Sequence, residues 1–247
     1  MTFLWILLAS LIVSIVSFVG VLTLLAKKKF REEDYISSLV SFAAGIMLSA
    51  AFFDILPEAL ELNPEPSLFL AVFAGMIVFF FLERFVLWFH HHDESHGAHP
   101  TSVLVLVGDS FHNFIDGIAI AAAFLASPAI GVAATLAIAT HEIPQEIADF
   151  SILVHGGMAK GKALLWNFLS GITAVAGAVL GYFFLHELEQ YLWIFLAFAG
   201  GMFLYIASSD LIPELHRDFR IARRWKQTIP FITGIVVLWC LTRLIVE

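Results

Sequence analysis

The fold of this chain is decided by one stretch, Asp109 to Asp149, which reads DSFHNFIDGIAIAAAFLASPAIGVAATLAIATHEIPQEIAD. Two apolar segments meet there at a short turn, Ser127-Pro128, and each segment is long enough to cross a bilayer. The stretch holds five acids, and an acid at the centre of a membrane helix costs roughly 2.5 to 3.5 kcal/mol. Because the sum is on the order of 15 kcal/mol, these acids must face each other, water or a bound cation rather than lipid.

The spacing of the polar residues in this stretch predicts a metal site. His112 and Asp116 lie four residues apart, as do His141 and Gln145, so each pair shares one helix face. Two facing helices then present two imidazoles, a carboxylate and an amide to one point. Imidazole nitrogen together with carboxylate oxygen suits a borderline divalent ion such as Zn²⁺. The alternative is a buried polar network that only joins the helices.

The composition indicates an all-α polytopic membrane protein with a single domain, residues 1–247. The chain is 60% hydrophobic with a mean hydropathy of +0.90, which no ordinary soluble domain reaches. The one cysteine, Cys240, excludes an intramolecular disulfide and a cysteine-based zinc site. The first apolar run begins at Phe3 and is longer than the core of a cleaved signal peptide, so we expect it to be a mature helix.

The apolar runs and the charged turns between them predict eight transmembrane helices. Eleven of the 13 Lys and Arg residues fall in the turns after the first, fifth and seventh runs, which share one side of the membrane if there are eight spans. The positive-inside rule then places these turns in the cytoplasm and both termini outside, in what we expect to be the plasma membrane of a prokaryote. The expected spans are 3–26, 36–60, 67–89, 103–126, 129–155, 162–185, 191–215 and 228–246.

One segment of the chain is repeated. FAAGIMLSAAFFDILPE (Phe42 to Glu58) and FAGGMFLYIASSDLIPE (Phe198 to Glu214) are identical at eight of 17 positions. The copies belong to the second and seventh helices, which cross the membrane in opposite directions. This pattern predicts an inverted 3+2+3 arrangement that is typical of secondary transporters. Helices 1–3 and 6–8 are the expected repeats, and helices 4 and 5 are the expected core that holds the site.

Further acids extend the predicted cation route beyond the site. Carboxylates at the mouth of a path raise the local concentration of cations. The alternatives are that these acids only end helices or bind Ser and Thr hydroxyl groups. The expected path residues are Asp54, Glu58, Asp109, Glu146, Asp149, Asp210 and Glu214.

A histidine-rich loop, residues 90–100, joins the third and fourth helices and is expected to be cytoplasmic. Such a tract is typical of weak metal binding, and the alternative is a solvated linker. The loop is too short to define a coordination geometry. Its candidate metal-binding residues are His90, His91, His92, His96 and His99.

Two motifs in this chain resemble those of the ZIP family of divalent metal transporters: HNFIDG (His112 to Gly117) and HEIPQEIADF (His141 to Phe150). The branch with HExPHE in its fifth helix is the most similar, although this chain has Gln in place of the second His. The resemblance covers the whole chain and implies a homodimer that moves metal into the cytoplasm. It implies a primary site of His112, Asp116, His141 and Gln145, and a second site of Asn113, Glu142 and Asn167.

The sequence thus predicts a transporter rather than an enzyme, with Zn²⁺ as the transported ion and Fe²⁺, Mn²⁺ or Cd²⁺ as further candidates. Its expected partners are the metal ion, the lipid bilayer and a second copy of the chain, with no nucleic acid. An intramembrane metalloprotease is the alternative, but Gln145 breaks the HExxH motif that such an enzyme needs and Pro144 lies within it. A metal sensor that does not transport is a third hypothesis, which the inverted repeat disfavours.

Overall fold

The chain folds into eight helical segments in the computed structural model, which describes residues 1–26, 33–91, 99–155, 157–213, 215–216 and 227–246. No strand occurs among those residues, and the prediction of an all-α polytopic membrane protein with eight helices is confirmed for them. The helices are α1 (Thr2–Ala26), α2 (Glu33–Ser49, a π-helical turn at Ala50–Ile55, and Leu56–Leu62), α3 (Leu68–His91), α4 (His99–Ala126), α5 (Pro128–His155), α6 (Lys160–Gly171 and Thr173–His186), α7 (Leu192–Ile206 and a π-helical turn at Ala207–Leu211) and α8 (Thr228–Val246).

The helices differ in how apolar they are. By length and composition alone, three of the described stretches could cross a membrane: Ser37–Leu62, Lys160–His186 and Leu192–Ser209. Two more, Thr2–Val16 and Thr228–Leu244, are apolar but shorter. The acids found near the middle of α4 and α5 are mostly buried, whereas large apolar side chains of α3 and α6 face outwards. A lipid environment requires this distribution, with acids buried and apolar side chains on the outer surface.

The eight helices form two groups. In the first group α4 packs along α6, and α1 packs along α5 and α6. In the second group α2 packs along α8, and α3 packs along α7. The groups meet mainly where α5 faces α2 and α8, and where α4 faces α7 and α3. The polar stretch of α4 and α5 therefore lies at the boundary between the groups.

Glycines bring the helix pairs of the second group into backbone contact. A Cβ atom at Gly45 of α2 would lie 2.1 Å from the Phe231 carbonyl oxygen of α8. A Cβ atom at Gly201 of α7 would lie 2.0 Å from the Val72 carbonyl oxygen of α3. Gly45 and Gly201 occupy the same place in the two copies of the repeated segment. The two copies thus make the same kind of contact, one with α8 and the other with α3, as an inverted repeat predicts.

The repeated segment also carries a π-helical turn in each copy. The turn in α2 spans Ala50–Ile55 and the turn in α7 spans Ala207–Leu211, which are matching positions of the repeat. Asp54 lies within the first turn and is buried. The expected spans 36–60 and 191–215 are continuous helices, because no residue type in the sequence marks a π-helical turn. Such turns are rare and often occur at functional sites.

A break divides α6, which the sequence predicts as one span. The first part ends at Gly171 and the second begins at Thr173. Hydroxyl groups bind the carbonyl groups around the break: Ser14 of α1 donates to Gly171 O at 2.9 Å, and Thr173 donates to Ser110 O of α4 at 2.7 Å. The break is therefore fixed by polar contacts with α1 and α4, beside the polar stretch.

Some predicted residues lie outside the described part of the structure. These are Glu214, His92 and His96, together with the side chains of Asp210, His90, His91 and His99. The basic turns at 27–31 and 217–226 also lie outside it.

Candidate metal centre

Four side-chain atoms meet between α4 and α5 at the distances that a tetrahedral zinc site needs. The Nε2 atoms of His112 and His141 lie 3.2 Å apart. Asp116 Oδ2 lies 3.6 Å from the first nitrogen and 3.4 Å from the second. Glu142 Oε1 lies 3.6 Å and 3.5 Å from the same two nitrogens. Since zinc bonds of about 2.0 to 2.2 Å place tetrahedral ligands about 3.3 to 3.6 Å apart, one zinc ion fits between these atoms.

The carboxylates of this group are buried without hydrogen-bond donors. The side chains of Asp116 and Glu142 are fully buried, and neither carboxylate has a hydrogen-bond partner within the described part of the chain. Burial of a carboxylate without a partner is costly, and a bound cation is one way to offset the cost. Because these oxygens accept no hydrogen bond from a described residue, they point to a cation rather than to a network that only joins two helices.

The two imidazoles are held by different neighbours. Nδ1 of His141 lies 3.0 Å from Ala137 O, one helical turn earlier. When Nδ1 carries the proton and donates it to this carbonyl, Nε2 keeps its lone pair for the site. The His112 ring packs against the Phe79 ring of α3 with centroids 5.3 Å apart. Both rings are thereby fixed with Nε2 directed at the same point.

The structure brings together three of the four residues of the predicted primary site and places Gln145 elsewhere. Gln145 Nε2 donates to Asp109 Oδ1 at 3.4 Å, and the position beside the imidazoles is taken by Glu142. Asn113, predicted for the second site, likewise donates to Asp109 Oδ1 at 3.0 Å. Asp109 is thus held by two amides.

A second group of acids adjoins the first. One carboxylate oxygen each from Asp109, Glu142 and Glu146 lies within 4.8 Å of the others, and all three side chains are buried. Glu142 belongs to both groups. Asp109 Oδ2 and Glu146 Oε1 have no hydrogen-bond partner among the described atoms. The arrangement offers oxygen ligands only, which suits a harder cation than the nitrogen-containing group does.

Helix α6 supports this second group. Asn167 Nδ2 donates to Glu146 Oε2, while the Asn167 amide oxygen is buried and has no partner in the described structure. A Cβ atom at Gly171 would lie 3.0 Å from Glu146 Oε1. Asn167 therefore positions one oxygen of Glu146, and the absence of a side chain at Gly171 leaves space for the other.

The side chains of His112, Asp116, His141 and Glu142 are called the metal group below. A cavity of about 220 Å³ lies between α3, α4, α5 and α7 and reaches the edge of this group at His112. His112 lies at its wall and is 12% exposed, whereas His141 is 1% exposed. The cavity also contacts Asp109, Gln145 and Asp149. On the other side of the site, a cavity of about 260 Å³ between α4 and α7 has only apolar residues in its lining. We call the first of these the polar cavity, because polar side chains line it: Glu83, Asp109, His112, Gln145, Asp149 and Tyr205.

Other residues of the predicted path lie away from both groups. Asp54 is buried in the π-helical turn of α2, and Glu58 is partly exposed one turn further on. Neither belongs to a described cluster of metal-ligating side chains.

Two residues that line the polar cavity, Glu83 and Tyr205, are not among the site residues predicted from the sequence. Glu83 is the one acid of α3, beside Arg84 in a mostly apolar stretch, and this was the available signal. The position of Tyr205 carried no comparable signal, because an aromatic residue in an apolar helix is common.

Comparison with known proteins gives a consistent result. A family described as ZIP Zinc transporter matches residues 3–104 and 90–242. The chain is similar to zinc transporter ZIP6 of Homo sapiens, with 40% identity over 124 residues, 49% of this chain and 16% of the relative. It is similar to zinc transporter ZIP10 of Danio rerio, with 43% identity over 119 residues, 47% of this chain and 14% of the relative.

A longer match is to metal cation symporter ZIP14 of Xenopus tropicalis, with 29% identity over 250 residues. It covers 72% of this chain and 54% of the relative. The chain thus spans between about one seventh and about half of the length of these curated relatives.

Proposed function

The chain belongs to the ZIP zinc transporter family, and from this premise we propose that it carries divalent metal ions, chiefly Zn²⁺, across the membrane. The observation that carries the proposal is the buried group of His112, Asp116, His141 and Glu142. Its two nitrogens and two carboxylate oxygens match the ligands and the spacing that zinc prefers. Fe²⁺, Mn²⁺ and Cd²⁺ are further candidate substrates, since selectivity among such ions depends on geometry and availability.

The proposed route runs from the outside to the cytoplasm. We propose that both termini lie outside, because the positive-inside rule favours cytoplasmic basic turns, and that the membrane is the plasma membrane of a prokaryote. We propose that metal passes Asp54 or Glu58 on the way in, binds between α4 and α5, and leaves past Asp149, Asp210 or Glu214. The polar cavity beside Asp149 supports the inner part of this route. The loop histidines would then lie at the cytoplasmic end as a weak metal-binding tract.

Cysteine labelling tests this orientation. In a Cys240→Ser background, Glu58→Cys should react with a charged, impermeant thiol reagent from outside, and Glu214→Cys only from the cytoplasmic side. Labelling of both residues from one side would contradict the inverted repeat as well as the proposed route.

The two helix groups suggest how the site changes access. We propose that α1, α4, α5 and α6 move as a unit against α2, α3, α7 and α8, with the metal group at their boundary. The single domain would then comprise two inverted repeats, α1 to α3 and α6 to α8, around the core of α4 and α5. We also propose that two copies of the chain form a homodimer in the bilayer.

We further propose a second cation position beside the first. The sequence suggested Asn113, Glu142 and Asn167 for it. The described contacts favour Asp109, Glu142 and Glu146 as its carboxylates, because Asn113 is bonded to Asp109. The Asn167 amide oxygen is a further candidate ligand. Zinc titration with Asp109→Asn should lose this second binding event and retain the first.

Metal uptake into proteoliposomes tests the proposed function. His112→Ala, Asp116→Ala and His141→Ala should each abolish most zinc uptake while the protein still inserts, because each removes one ligand. Uptake at the wild-type rate by these variants would exclude the proposed site.

The metalloprotease alternative finds no support in the comparisons. Peptide cleavage by the wild-type protein in proteoliposomes would restore it. Zinc flux in the same vesicles would exclude the hypothesis of a sensor that does not transport.

A further inference from the structure

Each imidazole of the metal group contacts a phenylalanine ring from the other helix group. The ring centroids of Phe79 on α3 and His112 lie 5.3 Å apart, at an interplanar angle of 73°. Those of Phe203 on α7 and His141 lie 6.4 Å apart, at 64°. Both phenylalanines are buried, and aromatic pairs favour this edge-to-face arrangement. Two aromatic contacts therefore cross the boundary between the helix groups at the metal group.

The two imidazoles differ in what holds them besides these rings. Nδ1 of His141 lies 3.0 Å from the Ala137 carbonyl oxygen of its own helix, so this ring keeps its orientation when α5 moves. No hydrogen bond to Nδ1 of His112 occurs among the described residues, and the polar contacts of this ring are all at Nε2. The helix that carries His141 thus fixes its ring, whereas the helix that carries His112 does not.

The His112 ring also has space into which it can turn. Its side chain is 12% exposed and lies in the wall of the polar cavity. Phe79 lines the same cavity, is only 3% exposed, and packs against the imidazole from α3. Since the χ2 torsion of histidine has broad minima, a neighbour in contact with the ring decides where Nε2 points.

We propose that Phe79 is a positioning residue, which directs Nε2 of His112 at the metal group only while the two helix groups keep the arrangement of this structure. When α3 and α4 move apart, the ring contact is lost, the imidazole turns into the polar cavity, and the ion keeps one ligand fewer. The affinity for zinc then differs between the conformations, and such a difference is what lets a bound ion shift their populations. The inference rests on the proposed function, because it requires that the helix groups move against each other.

The competing explanation is that Phe79 only fills space between α3 and α4. Phe79→Leu keeps an apolar side chain but removes the ring, whereas Phe79→Tyr keeps the ring. If Phe79 positions the imidazole, Tyr preserves zinc affinity and Leu does not. If Phe79 only fills space, Leu changes the melting temperature of the zinc-free protein rather than the affinity for zinc.

Competition with a zinc chelator measures the affinity of the purified protein. Phe79→Leu should bind zinc about two- to tenfold more weakly, which is the effect of losing one aromatic pair. Phe79→Tyr should bind zinc like the wild type, and so should the control Phe73→Leu, which changes an exposed ring of the same helix. In a His112→Gln background Phe79→Leu should have no further effect, because Phe79 acts through the imidazole. An effect of equal size in both backgrounds would overturn the positioning role.

Spin labels on α3 and α4 measure the link between the ring contact and the conformation. Saturating zinc should shift the ratio of the two conformations less in Phe79→Leu than in the wild type, by the same factor of about two to ten, because the coupling is reciprocal. Equal shifts in the two proteins would overturn this link.

Zinc uptake into proteoliposomes separates this inference from the proposed function. If the wild type binds zinc without transporting it, the proposed function fails, and the affinity comparison still decides whether Phe79 positions the imidazole. If the wild type transports zinc and Phe79→Leu binds the ion equally tightly, only the role of Phe79 is overturned. Size-exclusion profiles show whether each variant is folded, and Phe79→Met is the second variant without a ring should Phe79→Leu fail to fold.

Discussion

The Nε2 atoms of His112 and His141 lie 3.2 Å apart although 29 residues separate them in the chain. Two imidazoles approach this closely when their lone pairs share a proton or a metal ion. Asp116 and Glu142 lie within 3.6 Å of both nitrogens, so a divalent cation satisfies all four groups at once.

The first prediction distinguishes Glu142 from Gln145 as the fourth ligand. Glu142→Gln should weaken zinc binding by at least about tenfold, since even the loss of a group that supports a ligand costs this much. Gln145→Ala should change affinity little, because its amide is bonded to Asp109. Competition with a zinc chelator measures both constants. A larger loss for Gln145→Ala would assign the ligand role to Gln145 instead.

The second prediction concerns the space at Gly171. Gly171→Ala places a methyl group 3.0 Å from Glu146 Oε1, so the carboxylate must shift. We expect slower zinc uptake and loss of the weaker of two binding events. Gly161→Ala in the same helix meets no atom within 4 Å and is the control. Equal uptake by the two variants would show that Glu146 tolerates displacement.

The third prediction uses the backbone contacts of the second helix group. Gly45→Ala and Gly201→Ala should each lower stability by about 1 to 3 kcal/mol, the usual cost of overpacking. Both Cβ atoms would meet a carbonyl oxygen at about the same distance, so the two losses should be similar. Thermal unfolding in detergent measures them, with Gly161→Ala again as the control. Strongly unequal losses would count against equivalent contacts in the two copies.

The fourth prediction concerns protons. Zinc binds deprotonated carboxylate and neutral imidazole, so binding should release protons and weaken as the pH falls. Calorimetry in buffers of different ionisation enthalpy counts the released protons. The Glu142→Gln variant should release fewer protons when zinc binds, because the substitution removes one titratable ligand. A proton count that is the same for both proteins would indicate that Glu142 does not bind the ion.

Much of the helical layout could be predicted from the sequence. Apolar runs of bilayer length and basic turns at the first, fifth and seventh connections are properties of consecutive residues, so they predict eight helices. The pair His112 and Asp116 could also be predicted, since i, i+4 spacing fixes the relation between two residues on one helix. The π-helical turns could not, because they depend on packing between helices.

The contact of Glu142 with the two imidazoles could not be predicted from the sequence. His141 and Gln145 share a face of α5, yet Glu142 is the residue that meets the imidazoles. Which face of α5 turns to α4 depends on helix rotation, which is set by contacts with α1 and α2. Glu83 lies on α3, and its place in the wall of the same cavity as Asp109 and Asp149 is a tertiary relation that no spacing in the chain reveals.

The matching π-helical turns of α2 and α7 bear on the energetics of a transport cycle. Two copies of one segment with opposite orientation can exchange their local shapes, so that the opening of either face uses the same set of contacts. We expect the two end conformations to differ little in free energy when no metal is bound, so that the metal gradient rather than the protein sets the direction of flow. Distance distributions between spin labels on α2 and α4 should then contain two populations of comparable size, and a single narrow population would argue against this symmetry.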